Sequence, residues 1–333
     1  MYTLQTIPPK CAHLVLRVER FLKRYHVDFI GKKILVALSG GPDSTALAVI
    51  LSLLKKRCSL NIEALYLNHG LREEAFQEEL FIQNFAERWK FEPHILRTNI
   101  GLLAKKTHRG IEETGRNIRY FILKQFAQKR HCDLIALGHH LNDLAEDVLI
   151  RMLRGASWPA LGGMDVYLKE DKIVRPLLFL SKDEIKSFLK MLNQNFCIDK
   201  SNFQLDTLRN RVRHTILPLF CKENPSFLKN IFRLWQAAKI DRHDWQAKIE
   251  KLKPKIFENK IEINRKELEL FLPGERMRIF SQCLKQLGPG QVLFDNVMKL
   301  EELFSTRKVG KRVEFPGNKM VLLNNETVSF LKG

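Results

Sequence analysis

Three groups of residues in this chain have the types and the spacing to do chemistry. The first is Ser39-Gly40-Gly41-Pro42-Asp43-Ser44. Its two glycines let the backbone turn tightly and bring bare N–H groups toward phosphate oxygens. Pro42 suits the first turn of a helix, whose N-terminus attracts the anion. Ser39 and Ser44 add hydroxyl donors. Asp43 would repel phosphate unless a magnesium ion lay between them, so its presence argues for a metal–nucleotide substrate. The same run also reads as an ordinary capped strand-to-helix turn. The second group is Gly138-His139-His140 with Asp143. His139 and Asp143 are one helical turn apart and share a face that Glu146 or Asp147 continues, which makes them candidate catalytic residues and Asp143 a second magnesium candidate. A satisfied helix cap is the plain alternative. The third group, Arg209, Arg211 and Arg213, puts three guanidinium forks within five residues. Such forks match phosphate geometry and mark candidate RNA ligands, against the plainer reading of a solvated basic turn.

These groups need elements to hold them. Residues 34–38 form a continuous apolar run of strand length that ends at Ser39, and a helical pattern covers 43–56. The alternation repeats with strands at 62–67, 93–98 and 134–137 and helices at 73–89, 112–129 and 142–153. Strands alternating with helices predict an α/β fold, a parallel sheet with helices on both faces. Ligands of such sheets bind beyond the strand carboxyl ends, which here are residues 39–41, 68–70 and 138–140. A further strand starts near 173 and a helix spans 182–192. Beyond 218 the pattern becomes helical and Lys-rich to about 307. It closes with a hairpin over 311–330 around Pro316-Gly317-Asn318. The expected organisation is a catalytic domain at 1–220, then a smaller, mostly helical, basic domain at 221–333 that ends in the β-hairpin.

Composition narrows the classes. The chain has 333 residues, 45% hydrophobic and 28% charged, which excludes collagen, coiled coil and wholesale disorder. The longest near-apolar stretch, 46–54, is too short for a bilayer, and the polar opening at 2–9 is not a signal peptide, so a soluble cytoplasmic protein is expected. Six cysteines, at 11, 58, 132, 197, 221 and 283, are too scattered for a disulfide framework or a zinc knuckle. The net charge is +19, of which residues 221–333 supply +8 from 22 Lys and Arg against 14 Asp and Glu. A polyanion partner explains such an excess. Neither a Walker A sequence nor a G-x-G-x-x-G fingerprint is present.

Ser39-Gly40-Gly41-Pro42-Asp43-Ser44 resembles the pyrophosphate-binding loop of the N-type ATP pyrophosphatases, which implies an adenine nucleotide alpha hydrolase-like fold and a split of ATP to AMP and pyrophosphate. Asn68-His69-Gly70-Leu71-Arg72, Gly110-Ile111-Glu112-Glu113 with Arg116, Arg119 and Tyr120, and Gly138-His139-His140 with Asp143 resemble the tRNA(Ile)-lysidine synthetase family in order and spacing. Arg175-Pro176-Leu177-Leu178, Asp199-x-Ser201-Asn202 and Arg209-Asn210 with Arg213 extend the match. The chain departs from that pattern at Asn142 and Leu144, where Asp and Gln are usual, which leaves Asp43 with Asp143 as the metal pair. The resemblance implies a ligase that adenylates the carbon-2 oxygen of the wobble cytidine in a CAU anticodon and joins L-lysine to carbon 2. It makes ATP the substrate, Mg2+ the metal and tRNA(Ile) the partner, and it lifts Arg116 to a clamp on ATP phosphate or nucleobase. The competitors are a tRNA 2-thiolation enzyme on the same scaffold and a noncatalytic RNA-binding protein. A homodimer through a sheet edge stays open.

Overall fold

A computed structural model describes residues 2–68, 75–98, 111–156, 158–197 and 207–333. The expected site positions His69 to Arg72, Gly110, Asp199, Ser201 and Asn202 lie outside these residues. The chain divides into two compact units, Met1–Arg154 with Gly163–Arg233, and Gly155–Gly162 with Leu234–Gly333.

The first unit is built on a six-stranded sheet of order β3-β2-β1-β4-β6-β5. Its strands are β1 (Lys33–Leu38), β2 (Asn61–Asn68), β3 (Glu92–Arg97), β4 (Leu134–Ala136), β5 (Tyr167–Leu168) and β6 (Ile173–Val174). All pairs are parallel except β5 with β6. The helices are α1 (Pro9–Arg24), α2 (Pro42–Leu54), α3 (Ala75–Trp89), α4 (Ile111–Lys129), α5 (Leu141–Leu153) and α6 (Lys182–Met191). Alternate residues of β1 point to opposite faces, and both sets are buried: Leu35 packs with Leu123 and Ala127 of α4, while Ile34 and Val36 are equally covered. Burial on both faces is why the run has no polar alternation. Helix α2 is apolar all round and packs against α1 and α6. Helix α1 is not legible from the strand–helix alternation, since it precedes the first strand.

Parallel pairing aligns the strand starts at one end of the sheet, and a charge has been buried there. Glu63, 1% exposed, takes Lys33 Nζ at 2.6 Å and Arg130 Nε at 2.9 Å, with His94 Nε2 at 3.0 Å. Glu63, Glu92 and His94 could together hold a metal ion, but Lys33 and Arg130 already neutralise the cluster. The ion pairs lie at the end of the sheet opposite the candidate site and tie β1, β2, β3 and the end of α4 together.

The second unit carries a five-stranded antiparallel sheet, β7-β8-β11-β10-β9, with helices. The expected hairpin is β9 (Lys311–Phe315) with β10 (Lys319–Leu323), and β11 (Thr327–Lys332) continues it. Strands β7 (Lys255–Phe257) and β8 (Lys260–Asn264) lie in a stretch read from sequence as helical. There the two-residue alternation of buried Ile261 and Ile263 with Lys260 and Glu262 overrides a composition rich in lysine. No helix among the described residues is long and apolar enough to cross a membrane.

Burial alone would raise the Glu63 carboxyl, but the hydrogen bonds from Arg130 and Lys33 bring it down from 4.5 to about 2. A depressed carboxylate stabilises the fold above its unfolded pKa, and that contribution is lost as pH falls from about 4.5 toward 2. Glu63→Gln is expected to cost on the order of 3 kcal/mol at pH 7 and to flatten the acid limb of stability, read as urea midpoints against pH. An acid limb identical to wild type would contradict this assignment.

Candidate active site

The chain leaves β1 at Leu38 and turns at Gly40, whose φ of +77° suits only glycine. Gly41 is extended and caps α2, and Pro42 opens the helix with Asp43 in its first turn. The turn is braced from within. Ser44 Oγ donates to Gly41 O at 3.1 Å, accepts from Ser39 N at 3.1 Å and meets Ser39 Oγ at 3.1 Å. The two hydroxyls expected to donate to a ligand thus hold the loop's own shape. What the loop offers outward is its backbone N–H groups at a helix N-terminus.

The end of β4 rests directly on this loop. A Cβ on Gly138 would stand 3.0 Å from the carbonyl carbon of Asp43 and 3.1 Å from Ser44 N, so any larger residue would have to push this backbone away. Of the next two residues, His140 then reaches Asp43. His140 Nε2 lies 3.5 Å from Asp43 Oδ1 and 3.5 Å from Asp143 Oδ2, so it bridges the two carboxylates. It also caps α5: its backbone N–H donates to Asp143 Oδ2 at 3.0 Å, and its Nδ1 accepts from Asp143 N at 3.4 Å. The four-residue spacing had paired Asp143 with His139, whereas His140 is the ring that touches it.

His139 faces Arg175, which is 5% exposed. Arg175 Nε donates to His139 Nδ1 at 3.2 Å, and its Nη1 donates to Asp165 O at 2.6 Å. A guanidinium has no lone pair to offer, so Nδ1 is the acceptor and the ring proton sits on Nε2. Burial, reinforced by Arg175, Arg209 and Arg116 and opposed by Asp143, brings the His139 pKa down to about 3. His139 is therefore neutral throughout the physiological range, a hydrogen-bond donor and a poor base. The signal for Arg175 was present in the sequence: a lone arginine between Ile173-Val174 and Pro176-Leu177-Leu178 must be buried and needs a partner.

Arg209 and Arg213, read from sequence as RNA ligands, put their guanidiniums on α5. Arg209 reaches Glu146 Oε2 at 3.0 Å and Asp143 Oδ1 at 3.3 Å. Arg213 reaches Glu146 Oε1 at 2.6 Å and Asp143 Oδ1 at 3.0 Å. Arg209 belongs to helix α7 (Leu208–Arg211), capped by Thr207, and Arg213 to a π turn over Val212–Ile216. Pro218 has no N–H for the His214 carbonyl, which is the reason for the wide turn. Burial works against ionisation of Asp143, yet His140, His139 and the two arginines hold its carboxyl far below the usual range. Arg211 is exposed. Arg116 is exposed on α4, its guanidinium 5.8 Å over the Tyr120 ring.

Asp43 and Asp143 fit magnesium unequally. Asp43 Oδ1 is buried and, apart from the 3.5 Å contact with His140 Nε2, has no hydrogen-bond partner among the described residues. A carboxylate oxygen with one long contact, beside a glycine turn at a helix N-terminus, fits a magnesium–nucleotide, since magnesium takes few protein ligands beside phosphate oxygens and water. Asp143 fits less well, because its Oδ2 is bonded to the His140 N–H and its Oδ1 to both arginines.

A family model for the PP-loop domain matches residues 14–220. The tRNA(Ile)-lysidine synthase of Nitratidesulfovibrio vulgaris is 35% identical over 317 residues, which is 90% of this chain and 91% of that protein. The tRNA(Ile)-lysidine synthase of Petrotoga mobilis is 33% identical over 301 residues, 89% of this chain and 92% of that protein. Among solved structures, the U34-tRNA thiolase NcsA from Methanococcus maripaludis, with its [4Fe-4S] cluster, superposes with a TM-score of 0.57 at 24% identity, covering 68% of this chain and 79% of that one. That last likeness is one of fold.

The contact between Gly138 and the loop is testable. Gly138→Ala should weaken binding of magnesium–ATP by about tenfold or more, because a backbone-to-backbone clash cannot be relieved by a rotamer change. Gly274→Ala, where a Cβ meets nothing within 4 Å, is the control and should bind as wild type. Isothermal titration of both variants checks this, and unchanged affinity in Gly138→Ala would contradict the packing described.

Proposed function

Because the chain belongs to the PP-loop family and, at 35% identity over 90% of its length, to the tRNA(Ile)-lysidine synthases, we propose that the strand-end cluster is where it carries out ATP-dependent lysidine formation on tRNA(Ile). The observation that supports this most is Asp43 Oδ1, buried beside a loop that presents backbone N–H groups and met only by the 3.5 Å contact of His140 Nε2 among the described residues. The enzyme is a ligase forming a C–N bond and uses ATP as co-substrate.

In this reading the loop and the N-terminus of α2 take the ATP phosphates, Ser39 to Ser44 shaping the turn. Asp43 would hold magnesium, which would supply positive charge against the pyrophosphate. The oxygen on carbon 2 of the wobble cytidine, in a CAU anticodon, bonds to the α-phosphorus as the bond to pyrophosphate breaks. Adenylation turns a poor leaving group into a good one. The neutral amine of L-lysine then bonds to carbon 2, the bond from carbon 2 to the AMP oxygen breaks, and the nitrogen gives up a proton to yield lysidine. His139, its proton fixed on Nε2, donates a hydrogen bond during these steps and does not remove the proton. Arg116 clamps a phosphate or the nucleobase from α4.

Arg209 and Arg213 hold the Asp143 carboxyl far below its usual range and pair with Glu146, and Asp143 would join Asp43 as a metal ligand only where the guanidiniums leave its Oδ1. Of the three arginines read as RNA ligands, the exposed Arg211 is the one best disposed to meet phosphate. The net charge of +8 in residues 221–333 serves the same purpose along the tRNA backbone.

Asp43→Asn keeps the side chain's size and removes its charge. It should nearly abolish pyrophosphate release while tRNA affinity stays close to wild type, since a metal-holding carboxylate acts on the chemical step. Normal turnover with unchanged magnesium dependence would refute its role. A transcript with a CAU anticodon should accept labelled lysine and one with UAU should not. Equal labelling of both would contradict chemistry at cytidine, and sulfur incorporation without lysine would favour thiolation.

A further inference from the structure

The orientation of one peptide plane decides whether the loop can bind phosphate at all. Gly40 O accepts from Cys197 N at 2.8 Å and from Thr45 Oγ1 at 3.2 Å. Both donors stand on the inner side of the loop. Thr45 is fully buried in the first turns of α2, and Cys197 lies in the segment that follows α6. In a trans peptide the carbonyl and the following N–H point in opposite directions. With the Gly40 carbonyl pinned inward by two donors, the N–H of Gly41 is turned outward. The next peptide has no donor to misdirect, because Pro42 lacks an N–H, and its carbonyl, Gly41 O, is likewise occupied by Thr45 N at 3.0 Å and Ser44 Oγ at 3.1 Å. No hydrogen bond from Gly41 N is present among the described residues, so it is left for a ligand.

Cys197 also packs beside Gly40, where its Cβ, which alanine would keep, is one of the nearest atoms. A Cβ at Gly40 would meet Cys197 Sγ at 3.2 Å and Cys197 Cβ at 3.4 Å. The segment carrying it is fixed in turn: Gln194, buried, accepts from Trp89 Nε1 at 2.7 Å and donates to Asn195 O at 2.8 Å. A two-glycine turn without these supports has many backbone states of similar energy, since glycine populates both signs of φ. The supports select one before the ligand arrives.

We propose that Thr45 and Cys197 are positioning residues for the pyrophosphate of ATP, acting through the Gly40 carbonyl to hold the Gly41 N–H toward the phosphates. The inference rests on the reading of this loop as the ATP site. It assigns neither residue a contact with the nucleotide. Thr45 contributes its hydroxyl and Cys197 its backbone N–H, so the cysteine's thiol is dispensable.

The test compares ATP with AMP, which lacks the pyrophosphate, by isothermal titration on the full chain. Thr45→Val keeps the shape and removes the hydroxyl. Its ATP affinity should fall by about five- to tenfold while its AMP affinity stays within about twofold, since only pyrophosphate recognition is disturbed. Thr45→Ser, which restores the hydroxyl, should recover the wild-type ratio of ATP to AMP affinity. Cys197→Ala keeps the N–H and should also retain that ratio. Equal loss of ATP and AMP in Thr45→Val would mean a merely structural role and would overturn the proposal. So would wild-type ATP affinity in that variant, or a ratio lost in Cys197→Ala. A wild-type protein with no preference for ATP over AMP would instead contradict the reading of the loop as a pyrophosphate site.

Discussion

Two carboxylates buried at the mouth of a parallel sheet must be compensated, and much of this site follows from that requirement. Asp143 and Glu146 are 7% and 2% exposed. Leaving either without a cation would cost on the order of 3–5 kcal/mol. The compensation comes from His140, which precedes α5, and from Arg209 and Arg213, which lie more than sixty residues further along the chain. The segment carrying the arginines is thereby required to return across the strand ends. A pair one turn apart on one helix meets a pair one turn apart on another, so each guanidinium touches both carboxylates.

That charge cluster and the loop at residues 39–44 differ in what they supply. The loop is organised by neutral hydrogen bonds whose acceptors are its own carbonyls and the Ser44 hydroxyl, and it offers N–H groups and a helix terminus. The cluster supplies fixed charge nearby, and the close approach at Gly138 places Asp43 within reach of His140. The ring of His139 accepts from Arg175 at Nδ1, and burial lowers its pKa to about 3, so its remaining ring nitrogen carries the proton. The other histidine is engaged between two aspartates.

The fold was legible because its signals are local. The apolar run ending at Ser39 and the alternation after it locate β1 to β4 and their helices to within about two residues, because two-sided burial writes itself into consecutive positions. The loop was equally legible, since glycine and proline at those places have few other uses. The partners of Arg209 and Arg213 were not. A run of arginines reports charge and says nothing of what it faces. Only the matching one-turn spacings of 143 with 146 and of 209 with 213 held a clue. The strand pair at 255–264 was masked by its lysines, which sit on the outward positions of an alternating pattern. The support that Cys197 gives to Gly40 is a main-chain bond, and no side-chain pattern encodes it.

The central claim is that ATP cleavage at this site is coupled to the joining of lysine to tRNA(Ile). The direct measurement is stoichiometry in one reaction containing the full chain, labelled ATP, labelled lysine and the CAU transcript. The account predicts one AMP and one pyrophosphate for each lysine that becomes acid-stable on the tRNA, and negligible turnover when the transcript is omitted. Formation of ADP and phosphate, or AMP released in step with no lysine on the tRNA, would contradict it.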